Sequence, residues 1–391
     1  MLNSKLKLAV LLCLFTAVFA ANGDDSQEKD GLYVGPLRVG GAFRLNYVYK
    51  DWDETYKDLG EFAFDTARIN LDLEDENVIG SFEYRFYRDK FSDGHDYNML
   101  HHGWLGWQEE YWNIKLGVHR VPFGILPYAS HNWFFQLPYY VGLEDDYDLG
   151  AKYETWKDGW NFQAAYYVSD EGSWNGDSED SARYSYDLVK ENGAGNEEQN
   201  QGNLRLTHTW QHSEDCSTEL GGSLQAGGVH NDNTDDHGTH YAAAVHLNGN
   251  YGRWNTMLEA LYYKYDVDGD PVLDDKDYVL VGAYDYPYQI AAEAAIYSAG
   301  VSYTFPVNLG PVKSMTLYND FSIMTKSKSD FSDTLQNVVG CSFAVNKFFV
   351  YVDVASGKNN PWLGGPWNNG LSNGGKKGWS TRFNVNIGYY F

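Results

Sequence analysis

The sequence predicts an all-β chain that forms a 16-stranded antiparallel transmembrane β-barrel with long outer loops. Three observations lead there. Segments of roughly ten residues alternate apolar and polar side chains. The connections between them alternate short and long. Both chain ends carry the marks of an exported barrel.

The N-terminus comes first. Lys5 and Lys7 precede an apolar run from Leu8 to Phe19, closed by Ala20 with Val18 two residues before it. This reads as a signal peptide over 1–20, cleaved after Ala20, and the run is too short for a comfortable membrane span. Cys13 lies inside the apolar run, which does not suit a lipoprotein site. Residues 21–37 form a polar lead-in without heptads, and 38–391 form the barrel. No later segment approaches the ~18 consecutive apolar residues of a transmembrane helix. The last strand places Phe383, Val385, Ile387, Tyr389 and Phe391 on one face and Arg382, Asn384, Asn386 and Gly388 on the other. One face suits lipid, the other water, and the closing Phe matches the assembly signal of outer-membrane barrels.

Period-two alternation marks strands near 38–50, 61–74, 78–88, 98–108, 111–119, 147–154, 160–168, 201–210, 218–228, 239–249, 253–265, 292–305, 312–324, 334–345, 347–355 and 378–391. The connections 75–77, 109–110, 155–159, 211–217, 250–252, 306–311 and Asn346 are short. Those at 51–60, 89–97, 120–146, 169–200, 229–238, 266–291, 325–333 and 356–377 are long. Short periplasmic turns facing long outer loops explain this alternation and require an even strand number. A further run, Tyr278–Tyr284, would break that parity and is placed in a loop. A soluble sandwich or propeller is the competing fold. It explains neither the chain ends nor the loop asymmetry, and no 40–50-residue repeat is present.

Composition agrees. Apolar residues make up 43% of the chain, yet mean hydropathy is negative, so they are not gathered in helical blocks. The 17% aromatic content and 40 glycines suit girdles and close strand contacts. The net charge of −25 argues against a nucleic-acid partner. Cys216 and Cys341 fall in a turn and a strand and are expected as free thiols.

Residues 111–124 run from Tyr111 through Lys115-Leu-Gly-Val-His-Arg120 into Val-Pro-Phe-Gly124. A long loop follows, then Asp145-Asp-Tyr-Asp-Leu-Gly-Ala-Lys-Tyr153. With Phe43-Arg-Leu-Asn-Tyr47 and Asp65-Thr-Ala-Arg-Ile-Asn-Leu-Asp72, this resembles the phosphate- and polyphosphate-selective O/P porin family. The motifs cover about the first third of the mature chain. The resemblance implies a homotrimeric outer-membrane porin of a Gram-negative bacterium, whose third loop folds inward. The chain departs from that family's basic constriction. Residues 120–146 hold only Arg120 as a basic residue, against Glu144, Asp145 and Asp146, so phosphate selectivity does not carry over.

Assigning each apolar strand face to lipid turns Arg382, Arg44, Arg68 and Arg85 into the lumen on four consecutive strands at similar height. Lys115, Lys152 and Arg205 point inward somewhat lower, and Glu259 and Asp320 stand on the opposite wall. Such an arrangement either sets up a transverse field or is a set of solvated lumen charges; the two readings are evenly matched. The third loop contributes Trp133, Phe134, Tyr139, Tyr140, Asp145 and Asp146 to a constriction. Its rings either stack on solute or pack the loop against the wall, the second being the stronger reading.

Other candidates are weaker. Asp266-Val-Asp268-Gly-Asp270 with Asp277 lacks the glycine position and helices of a calcium loop. His230, His237 and His240 lack closed-site spacing. His101 and His102 are expected on opposite faces of one strand. No nucleophile elbow, P-loop or dinucleotide fingerprint occurs, so no enzyme and no cofactor is expected. Loose Ca²⁺ or Mg²⁺ at acidic outer loops could bridge to lipopolysaccharide. The expectation is a channel in the outer membrane, among lipid and lipopolysaccharide, for ion transport and diffusion of small hydrophilic solutes. It weakly favours anions or sugar-like and zwitterionic solutes. The alternatives are a surface adhesin without transport and a barrel enzyme.

Overall fold

The computed structural model describes residues 32–88, 96–267, 276–376 and 378–391. The expected signal peptide, the expected lead-in before Leu32, and Asp268 and Asp270 of the acidic loop lie outside them. Sixteen strands close into one antiparallel barrel: β1 Leu37–Lys50, β2 Glu61–Asp75, β3 Val78–Arg88, β4 Asp96–Gln108, β5 Trp112–Arg120, β6 Tyr147–Lys157, β7 Trp160–Asp170 and β8 Asn196–Ser213. The second half comprises β9 Cys216–Asn231, β10 Asp236–Tyr251, β11 Trp254–Asp266, β12 Glu293–Leu309, β13 Val312–Lys326, β14 Thr334–Val345, β15 Phe348–Lys358 and β16 Ser380–Tyr390. Each strand pairs with the next, and β16 pairs with β1 from Ala42↔Tyr390 to Lys50↔Arg382. The seam is finished by Phe391, which exchanges backbone hydrogen bonds with Gly41 at 2.9 and 3.1 Å.

Alternation sorts each strand between two surroundings. On β12, Ala294, Ile296 and Ser298 are buried while Tyr297 is 51% exposed. Phe43, Phe62, Leu105, Leu116, Leu224 and Val245 likewise stand outward and exposed. A soluble protein does not tolerate an apolar belt around its whole girth. Lipid does, and this excludes the sandwich reading and places the chain in the bacterial outer membrane.

Three features differ from the sequence expectation. The fifth outer connection is only the turn 232–235, because β9 and β10 run on to Asn231 and from Asp236. Tyr278–Ala283 is a strand after all. It pairs with Tyr286–Ala291 and with Asp187–Leu188 in a small sheet separate from the barrel wall, so the barrel's parity is untouched. Leu32–Val34, inside the expected lead-in, folds back on Leu37–Val39.

β-Bulges also reset the strand phase in places. Against β1, β2 skips Asp65; against β3, β4 skips His101; against β6, β7 skips Val168. Each extra residue changes which side chains turn inward.

Candidate functional site: the lumen constriction

The third outer loop, 121–146, leaves β5 and returns to β6 with its neck closed by the Val121 N–H donating to the Asp146 carbonyl at 2.8 Å. Between these points it folds into the barrel and runs along the wall made by β9 to β15. Its amides need acceptors there, because few of its own side chains are charged. The lumen side chains supply them. Gly124 N–H donates to Ser223 Oγ at 3.1 Å and Ile125 N–H to Glu259 Oε2 at 2.9 Å. Asp320 accepts from the His131 N–H at 2.8 Å and from Asn132 Nδ2 at 2.7 Å, and its Oδ1 lies 2.7 Å from His131 Nδ1. Leu137 N–H donates to Ser322 Oγ at 3.2 Å, and Gln336 Nε2 to the Phe135 carbonyl at 2.7 Å. Gly124 sits at φ +60°, and a Cβ there would lie 2.3 Å from Glu259 Oε2, so the close approach requires glycine.

This overturns the transverse field. Glu259 and Asp320 are only 5% and 1% exposed. They lie behind the loop as its anchors, not across an open lumen from the arginines. Burial, then the charge of Glu259, pushes the Glu144 carboxyl well above its usual range, and its Oε1 accepts the Ala129 N–H at 2.8 Å. Burial works against a charged His131. The hydrogen bond to Asp320 and its charge outweigh that and raise the imidazole above its ordinary value.

The basic residues divide into two groups. Arg44, Arg68, Arg85 and Arg382 line a cavity of about 900 Å³. Lys115, Arg120, Lys152 and Arg205 do not line it. Arg120 is held by Asp145 at 2.7 Å and by the Tyr147 hydroxyl at 2.6 Å. Lys152 Nζ donates to the Arg120 carbonyl at 2.6 Å, and Arg205 Nε to the Gly124 carbonyl at 2.8 Å. Lys115 lies 4.4 Å from the Trp104 ring. Three of these four therefore brace the third loop and its neck. Asp145 and Asp146 are absent from the cavity lining too: Asp145 is consumed by Arg120, and Asp146 joins a separate acidic cluster.

At the cavity wall, Arg44 Nε lies 3.0 Å from Asp65 Oδ2, and its Nη2 donates to Thr66 Oγ1 at 3.0 Å. Arg68 lies 3.4 Å from Glu83, which also takes the Arg85 guanidinium. Arg85 stacks 4.5 Å from the Tyr184 ring, and Arg382 lies 5.0 Å from Phe134 and 5.4 Å from Trp133. Asp72 pairs with Arg38. Sequence reasoning missed Asp65, because only the bulge turns it inward beside Arg44. The same device corrects the histidine assignment. Both His101 and His102 face inward, their Nδ1 atoms 2.7 Å apart, with His101 against Tyr147 and Tyr184 at 4.3 and 4.1 Å.

The remaining lining was not anticipated. Trp133, Phe134, Tyr139 and Tyr140 do reach the cavity, and they are joined by Tyr184 and Tyr186 of the fourth loop, Tyr284 of the sixth and Trp362 of the eighth. These loops interlock. Tyr288 Oη donates to the Tyr140 carbonyl at 2.8 Å, Trp362 Nε1 to Tyr186 Oη at 2.8 Å, and the Ala291 N–H to the Leu371 carbonyl at 2.9 Å. Leu188, Val279, Val281 and Ile290 are fully buried beneath them. The outer half of the barrel thus holds an apolar plug, with the cavity between it, the third loop and the arginine wall. One signal was available: Tyr184, Tyr186, Tyr284, Tyr288, Trp362 and Trp367 are out of place in loops that only face water.

A closed sixteen-stranded barrel with a lipid-facing belt and an inward third loop is a porin fold. No protein-family model matches the chain, and no curated protein sequence matches it. Solved structures do. The chain is similar to OmpT, an outer membrane protein of Vibrio cholerae, with TM-score 0.56, 13% identity, and 93% of this chain and 100% of that one covered. It is equally similar to the anion-selective porin from Comamonas acidovorans, at TM-score 0.56 and 13% identity, covering 91% and 99%. The outer membrane channel DcaP of Acinetobacter baumannii gives TM-score 0.53 and 11% identity, covering 91% and 97%. At such identities the likeness establishes the shared fold.

Proposed function

We propose that the chain is an outer-membrane porin for small hydrophilic solutes that prefers anions, and that it works as a trimer of the O/P porin type. The observation that carries this reading is the cavity wall: among the described residues Arg44, Lys50, Arg68, Arg85, Arg88 and Arg382 line it, and Asp65 is the one carboxylate in the lining, while Glu83 holds Arg68 and Arg85. The excess positive charge attracts anions and repels cations. The rings around it offer stacking surfaces to solutes with a flat body. The anion-selective description of the Comamonas porin, whose fold the chain shares, supports the same preference. No catalytic step and no cofactor belongs to this reading. Acidic groups on the outer loops would hold divalent cations loosely against lipopolysaccharide phosphates.

The test is single-channel conductance of the purified protein in a planar bilayer under a KCl gradient. Stepwise conductance with a chloride-side reversal potential is expected. A potassium-side reversal would remove the arginine wall as the selectivity element. The second reading, a surface adhesin, draws on the apolar plug of the third, fourth, sixth and eighth loops, and it predicts membranes that stay ion-tight.

A further inference from the structure

Behind the neck of the third loop lies a group of carboxylates that the channel reading does not use. Asp146 ends that loop, Asp148 follows on β6, and Asp187 sits in the fourth loop. All three are buried, with one oxygen each within 4.8 Å of the others. Glu171, at the start of the fourth loop, is 7% exposed, and its side chain meets that of Asp187. Its Oε1 accepts the Ser185 N–H at 2.7 Å. Asp148 Oδ2 accepts from Gln201 Nε2 at 2.9 Å.

The nearest cation is Arg183, and it is already engaged. It lies 2.7 Å from Asp170, 2.6 Å from Asp180 and 3.6 Å from Asp187. Among the described residues no basic side chain lies within salt-bridge distance of Asp146, Asp148 or Glu171, and Arg183 reaches Glu171 through its charge alone. A second observation is independent of the clustering. Asp146 Oδ1 and Glu171 Oε2 are buried and meet no hydrogen-bond donor, and both side chains are more than nine-tenths buried. Buried acceptors of this kind are ordinarily satisfied.

We propose that Asp146, Asp148, Glu171 and Asp187 form a buried Ca²⁺ site that pins the fourth outer loop to the neck of the third. The spacing suits the ion: the three aspartate oxygens lie no farther apart than 4.8 Å, within the diameter of a Ca²⁺ coordination shell with oxygens at roughly 2.4 Å, and Glu171 joins through Asp187. Four carboxylates can supply six or more oxygens through mono- and bidentate binding. Mg²⁺ is a poorer match, since it demands octahedral geometry at shorter distance and retains several waters. Because Asp187 also pairs with Gly282 in the small sheet, the ion would fix the third, fourth and sixth loops together. The exposed group His230, Asp235 and His237 is a different case. Its side chains pair with one another, His230 Nε2 lying 3.1 Å from Asp235, and it carries no such site.

This proposal does not rest on the porin reading, and its test does not use conductance. Purified full-length protein is stripped with EDTA and titrated with Ca²⁺ by calorimetry, with Tb³⁺ luminescence excited through neighbouring tyrosines as a second probe. Asp187→Asn, Asp146→Asn and the surface control Asp235→Asn are compared after heat-modifiable migration confirms folded barrels. One Ca²⁺ per chain is expected, weakened at least tenfold in Asp187→Asn and Asp146→Asn and unchanged in Asp235→Asn. Trypsin cleavage of the fourth loop after Lys190 should slow at least tenfold when Ca²⁺ is added. Absence of one-to-one binding by the stripped native protein would overturn the proposal, as would binding lost only in Asp235→Asn. If the buried variants do not fold, the native protein still decides: Ca²⁺ that binds without displacing Tb³⁺ or protecting the fourth loop refutes the site.

Discussion

Replacing Arg382 by Gln tests the selectivity argument most directly. A cavity of about 900 Å³ corresponds to a sphere of about 6 Å radius, so a wall charge acts on an ion at its centre over about that distance. In water-like surroundings one unit charge at ~6 Å is worth ~0.7 kcal/mol. That raises the local anion level about threefold and lowers the cation level about threefold. Among the described residues six cations and the carboxylate of Asp65 line the cavity, and Arg382→Gln removes one of those charges. The chloride-to-potassium permeability ratio should therefore fall, by between about threefold and tenfold at low salt. The Debye length is ~10 Å at 0.1 M and ~3 Å at 1 M. The difference between variant and native protein should be plain at 0.1 M KCl and nearly vanish at 1 M. The assay is the reversal potential across a tenfold KCl gradient at several mean concentrations. An unchanged reversal potential at 0.1 M, in a protein that still conducts, would refute the arginine wall as the source of selectivity.

Three further outcomes follow from the anchoring of the third loop. Asp320→Ala removes a buried acceptor of two backbone or side-chain amides and the partner of His131, at a cost of about 3 kcal/mol to the docked loop; a higher or noisier unit conductance and a lower temperature of the barrel's gel-mobility transition should report it. His131 is raised by Asp320, so its charged form strengthens the docked loop. That contribution is complete below about pH 6.5 and is lost as pH rises through the elevated folded value. Conductance noise should accordingly grow on the alkaline side, and an identical pH profile in His131→Asn would sink this account. Gly124→Ala sets a side chain at φ +60° against Glu259 and should cost about 1–2 kcal/mol, loosening the loop in the same assay while Gly378→Ala, which has ordinary φ and meets nothing nearby, leaves conductance unaltered.

The barrel itself was legible because its signals are local. Alternation of side chains along Glu293–Leu309 or Ser380–Tyr390 needs no knowledge of distant residues. Lipid outside and a polar interior impose the period-two pattern strand by strand. The alternation of short and long connections followed for the same reason, as did the inward phase of Arg44, Arg68, Arg85 and Arg382. The run Tyr278–Ala283 carried a strand signal too, and only the belief that a strand must join the barrel wall set it aside. The strand ends were less visible around Asn231 and Asp236, where β9 and β10 extend through polar residues that read as loop.

What the sequence determined by itself is therefore the architecture: sixteen lipid-facing strands, their order, and the arginines on four adjoining ones. The tertiary structure alone decided what those groups meet. Two separate one-residue bulges carry Asp65 to Arg44 and turn both His101 and His102 inward. Glu259 and Asp320 became anchors because a loop more than a hundred residues away brought unpaired amides to them. Hydrogen bonding of buried amides and packing of loop rings are settled between segments far apart in the chain. No periodicity within either segment records that meeting.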